Sequence, residues 1–372
     1  MKKFISIAGS MAILAASVLP VFALGNDCVN ETTGPLSGNY CKVTNTNTVK
    51  VENKNDANIK NDVTVSANTG HNSASMNTLG GSVVSGNASV NASLSNTANV
   101  NTTSVSGGPA ASGNVGSNRI TGPGSTNTAD ILNSNKVEVK NKNDAYVDNK
   151  VAASVDSGYN NADKNTGPAY IHSGNADMAV GVVNRVNDSA TAVVGGAGGT
   201  GGNQATNQTT GPGSGNFVKV LNSSDVEVEN ENKMDVDNSV NAKANTGHNS
   251  ASTNTLGGEI RSGNAAGDLG LETKGNINTT SVTSAMGGFA NVSGNAVTGP
   301  MSTNTEDLIN TQKVEVKNEN KKADVSNSDV DIADTGWNIA DKNTGGGDVL
   351  AGMADLVKRI CVYVNDSFTV VH

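Results

Sequence analysis

The chain is short of the material from which an ordinary globular core is made. Aromatic side chains are 3% of its 372 residues, so little large apolar surface is available to offset the backbone entropy lost on folding. Its three cysteines, Cys28, Cys41 and Cys361, are too few and too unevenly placed for a disulfide framework, and they lack zinc-site spacing. Cys28 and Cys41 can pair with each other in an oxidising compartment, which leaves Cys361 over. With four histidines and no visible Ser-His-Asp pattern, there is little to support acid-base or nucleophilic catalysis. No basic cluster breaks an acidic chain of formal net charge −9, which argues against binding nucleic acid by phosphate neutralisation. The EF-hand pattern and the Gly-Gly-x-Gly-x-Asp calcium repeat are both missing. The Gly-rich run 195–203 lacks the Lys-Ser/Thr ending of a phosphate loop and reads as a connector. These absences predict a protein that is not an enzyme and needs no metal or cofactor.

One long apolar run is present, at the front. Lys2 and Lys3 precede Phe4–Val18, and Pro20 precedes the small-x-small site Val21-Phe22-Ala23. That is the pattern of a secretory signal peptide over residues 1–23, cut after Ala23 and lying outside the fold. Residues 24–32 then form the mature N-terminal segment. Without the leader the chain has 23 basic and 34 acidic side chains, a net of −11. A secreted or extracellular protein is expected, with no membrane span in the mature chain.

The remainder is repetitive. Thr-Gly-Pro begins at Thr33, Thr121, Thr210 and Thr298, at spacings of 88, 89 and 88 residues. This divides the chain into repeats over 33–120, 121–209, 210–297 and an atypical or truncated fourth over 298–372. Each copy carries a long alternating run. In the first, Val49, Val51, Asn53, Asn55, Ala57, Ile59, Asn61, Val63 and Val65 alternate with charged or polar residues. Period two over nearly twenty residues means β-structure with one apolar or Asn face and one charged face. The run exceeds ordinary strand length and is expected to bend at its Asn positions. Copy four slips by one residue near Lys321 and Lys322.

A corner motif follows, of the form Gly, ring residue, Asn-x-Ala, Asn-Thr. Its ring positions are His71, Tyr159, His248 and Trp337. Exchange among these types points to ring packing and away from proton transfer, and Gly and Asn supply the backbone freedom of a corner. A second alternating run places Ala88, Val90, Ala92, Leu94, Asn96, Ala98 and Val100 on one side in copy one. Copies one and three match best, as do two and four.

Disorder gives no reason to hold polarity alternation through four copies, whereas stacking does. Equivalent residues then line up along an axis, and Asn53, Asn141, Asn230 and Asn318 form an inward ladder in which each amide supplies donor and acceptor. The expected fold is all-β, a β-solenoid-like stack of four units of about 88 residues. A large antiparallel sheet or sandwich of eight long strands is the alternative.

The repeats resemble those of secreted Asn/Thr/Gly-rich surface proteins. Asn72–Ala74, after a glycine and before Asn77, also resembles part of the curlin repeat. Curlins are extracellular fibre subunits of stacked β-rungs. Their repeats are shorter and place Gln where this chain does not. The resemblance implies a stacked extracellular β-protein. The expected role is structural or adhesive, through self-association or contact with a cell surface or glycan. A carbohydrate-binding or carbohydrate-active β-helix is the alternative.

Overall fold

Period-two alternation becomes strands of unusual length. A computed structural model describes residues 3–18, 26–106, 113–194, 202–283 and 291–371. The first strand, β1 (Lys3–Val18), precedes four equivalent turns of chain. Rung one contains β2 (Asp27–Thr33), β3 (Gly38–Asn68), β4 (Gly81–Val84) and β5 (Ala88–Ser106). Rung two repeats the order with β6 (Val115–Thr121), β7 (Thr126–Asp156), β8 (Ala169–His172) and β9 (Ala176–Val194). Rung three has β10 (Gln204–Thr210), β11 (Gly215–Asn245), β12 (Gly258–Arg261) and β13 (Ala265–Thr283). Rung four has β14 (Val292–Thr298), β15 (Thr303–Asp334), β16 (Gly347–Leu350), β17 (Ala354–Val364) and β18 (Ser367–Val371).

Each strand pairs with its equivalent in the next rung, always parallel, to give four sheets: β2-β6-β10-β14, β3-β7-β11-β15, β4-β8-β12-β16 and β5-β9-β13-β17, with β18 completing the last. The fold is thus an all-β, solenoid-like stack. Parallel pairing throughout rules out the antiparallel alternative. It follows from the repeat itself: identical hydrophobic patterns align best when the strands run the same way in register.

The long run stays paired through its Asn positions, for β7 runs unbroken through 31 residues, and its amides are satisfied by neighbouring rungs. One expectation needs correction: the segment expected to be a leader does not lie apart. Lys3–Val18 runs parallel to β5, in the place a preceding rung would take. An open sheet edge offers unpaired backbone groups to any extended segment. The proposed cleavage site and the Gly-rich run 195–201 fall outside the described residues.

The slip in copy four is real: the register shifts between Asn232 and Lys233, where β15 inserts an extra residue. Elsewhere the inward residues of the long strands face two walls. The first part of β3 packs against β2, where a disulfide joins Cys28 to Cys41; the rest packs against β5. The interior is striped. Apolar bands such as Val63 and Val65 with Val90 and Leu94, Val51 with Val105 and Ile59 with Ala98 alternate with amide bands. Apolar faces apolar and amide faces amide, which fixes how the walls slide against each other.

Candidate functional site

The most highly organised chemistry in the molecule is its set of interior amides. Asn53 Nδ2 donates to Asn141 Oδ1 at 2.7 Å, Asn141 to Asn230 at 2.7 Å and Asn230 to Asn318 at 2.6 Å. Asn141 also donates to Thr191 Oγ1 at 2.9 Å on the facing wall, and its oxygen accepts from Thr103 Oγ1 at 3.3 Å. All four hydrogen-bonding sites of the amide are used, in a place that is 1% exposed. The ladder expected from the repeat is therefore present.

Among the described residues, eight such ladders run through all four rungs, beginning at Asn30, Asn39, Asn45, Asn53, Asn55, Asn61, Asn72 and Asn99. In every one, the Nδ2 of a rung donates to the Oδ1 of the following rung. The stack therefore has a direction. It presents amide oxygens at rung one and amide N–H groups at rung four.

The Asn99 ladder went unread in the sequence. Asn99, Asn187, Asn276 and Asn365 all have positive φ, between 54° and 63°, a conformation Asn tolerates better than most residues. Asn99 Nδ2 reaches the Asp144 carbonyl at 2.7 Å. The kink reverses the phase of the strand, so Val100 is not inward as expected; Asn101, Thr103 and Val105 are. The signal available was an Asn breaking the alternation at the same place in each copy.

The ring residues also stack. His71 and Tyr159 have centroids 4.9 Å apart, Tyr159 and His248 4.6 Å, and His248 and Trp337 6.1 Å, with planes within 12° of parallel. The corner differs from expectation in which residue takes the special backbone. The ring residues themselves have positive φ, 62°, 56°, 59° and 53° in order. The preceding glycines are needed for close approach: a Cβ on Gly158 would lie 2.0 Å from the Gly247 oxygen. Stacking on both sides supports Tyr159 against its backbone strain. Tyr159→Ala is expected to destabilise by about 2 kcal/mol, the loss of two ring pairs. Tyr159→Gly should cost about 1 kcal/mol less, because it releases the left-handed strain. Urea unfolding of both variants checks the order.

Rung four departs from the others in its interior. The slip aligns Asp329 with Val240 and Asp331 with Ala242, and β17 aligns Lys358 with Leu269. Three charged side chains thus occupy positions that are apolar in rung three, while Val330 and Ile332 turn outward. Lys358 pairs with Asp329. One Asp331 oxygen is buried without a partner. Burial, and then the hydrogen bond and charge of Asp329, push the Asp331 carboxyl up to about 6. A raised carboxyl binds its proton more tightly when folded, so its contribution to stability is present in acid and is lost as pH rises through about 6. The thermal midpoint of rung four is expected to fall across that window. Asp331→Asn should flatten the profile, measured by calorimetry over a pH series.

The outward faces carry ion pairs along the stack. Lys140 lies 3.6 Å from Glu229, which lies 3.6 Å from Lys317. Among the described residues no cluster of three or more metal-ligating side chains occurs, and no helix is long and apolar enough to cross a membrane. Cys361 is free and exposed. No protein-family model, curated protein or solved structure matches the chain.

Proposed function

We propose that this is a secreted, non-enzymatic structural or adhesive protein of an extracellular surface or matrix. One observation carries the reading. The amides of the interior ladders are spent on bonds from rung to rung: that of Asn141 has every donor and acceptor engaged by its neighbours. Such a group is built for rigidity and length, with nothing left over for a substrate. The Cys28–Cys41 disulfide fits an oxidising space outside the cell. The test is electron microscopy and far-UV circular dichroism on residues 24–372, followed by a glycan-binding screen. Rods or filaments with a β spectrum support the proposal, and hydrolysis of a glycan substrate would sink it.

A further inference from the structure

We infer that the two open ends of the stack are complementary, and that rung four of one molecule docks on rung one of a second copy, head to tail. The inference rests on the structural reading above and names its contact.

The first observation is the amide polarity. Rung four ends in N–H donors and rung one begins in oxygens. A second copy placed in register continues all eight ladders with the geometry they have inside the molecule. The ring ladder continues too, His71 of the next copy falling on Trp337.

The second observation is charge. The strand registers align position 50 with 138, 227 and 315, and positions 52 and 54 likewise with 317 and 319. Across the junction Glu315 would meet Lys50, Lys317 would meet Glu52, and Glu319 would meet Lys54. Asp307 with Lys42 and Lys322 with Asp56 follow the same rule. Every charged pair along these long strands is of opposite sign. The interfaces inside the molecule are less well matched. Each sets like charges side by side: Lys54 by Lys142, Glu138 by Glu227, Glu231 by Glu319. Complementarity is therefore best at the one junction the single chain does not contain.

The third observation is glycine without an internal cause. A Cβ on Gly70, Gly158 or Gly247 would lie 1.9 to 2.0 Å from the oxygen of the next rung's glycine. Gly336, the last of that series, meets only its own Asp334, at 3.4 Å. At the other end, a Cβ on Gly122 would lie 2.4 Å from Pro35, and one on Gly174 2.4 Å from Gly86, but Gly34 and Gly86 themselves have nothing within 4 Å among the described residues. Three terminal glycines are demanded only if another rung lies beyond them.

Two features regulate the contact. Strand β1 occupies the outer edge of β5, so the face is complete only once the leader is removed. Asp329, Asp331 and Lys358 would be covered by Val63, Val65 and Ala92 of the next copy. No charged side chain of β11 or β13 faces them from rung three, where the aligned residues are Val240, Ala242 and Leu269. Protonation of Asp331 lightens that burial, so docking is favoured below about pH 6.

The experiment uses the secreted form, residues 24–372, concentrated below that pH and followed by analytical ultracentrifugation and electron microscopy. Filaments are expected with an axial repeat of about 19 Å per molecule, four rungs at ~4.8 Å. Gly336→Val blocks one end and Gly34→Val with Gly86→Val the other; both fit the single molecule. Each variant alone is expected to remain monomeric, and a mixture of the two to form dimers and nothing longer. Filaments that persist in either variant would overturn the junction while leaving a self-assembling structural protein. A wild type that stays a folded β-rich monomer at every concentration would also overturn it, and would leave the adhesive role to the glycan screen. A coil spectrum would remove the structural reading itself.

Discussion

Replacing Asn141 with alanine is expected to cost about 4 kcal/mol, more than most single substitutions in a protein. The figure follows from what the truncation leaves behind. Asn53 Nδ2 loses one of its two acceptors and keeps Thr103 Oγ1, Asn230 Oδ1 loses the nearer of its two donors and keeps Thr191 Oγ1, and the hydroxyls of Thr103 and Thr191 lose a partner each. A buried polar group left short of a partner costs about 1–3 kcal/mol. The methyl group that remains cannot fill the space, and the apolar bands on either side prevent water from entering freely. Partial relaxation brings the sum down to the stated value. Asn53→Ala supplies the contrast. It breaks only one link of the same ladder, because Asn53 lies in the first rung, so it should cost roughly half as much. Local unfolding measured by hydrogen exchange distinguishes the two, since a stacked repeat opens rung by rung. Equal effects at both positions would mean that the ladder contributes little beyond side-chain volume.

The repeat and its strands were legible because both rest on periodicity. Four copies of Thr-Gly-Pro set the rung length, and the alternation from Val49 to Val65 told inside from outside. The inward placing of Asn53, Asn141, Asn230 and Asn318 came from the same parity. What remained hidden was set by contacts between rungs. Whether the strands run parallel depends on how one turn of chain returns above another, and a single strand pattern is silent on that. The phase reversal at Asn99 depends on one residue in a left-handed conformation, where the alternation before and after is equally regular. The positive φ of Tyr159 was hidden by the glycine beside it, which drew attention as the flexible residue but serves to let backbones approach. The inward Asp329, Asp331 and Lys358 were obscured by a one-residue slip whose consequence appears only once rung three fixes the frame.

The largest effect is expected at Gly158. A methyl group there would sit 2.0 Å from the Gly247 oxygen, 2.9 Å from the carbonyl carbon of Thr246 and 3.0 Å from that of Gly247. These are backbone atoms held on both sides by rung-to-rung hydrogen bonds: Tyr159 N donates to the Gly247 carbonyl at 3.0 Å, and His71 N to the Gly158 carbonyl at 3.0 Å. Nothing can rotate out of the way, so the rungs must separate at the corner, and ring stacking and the Asn72–Asn160–Asn249 ladder go with them. Gly158→Ala is expected to destabilise by more than about 4 kcal/mol, beyond the usual range for overpacking. The same change at Gly336, with its nearest contact at 3.4 Å, should leave the isolated molecule within about 0.5 kcal/mol of the parent. Both substitutions remove the same backbone freedom and add the same methyl group. The difference between them, read from thermal unfolding at a concentration where the protein is monomeric, therefore isolates the cost of crowding one rung against the next.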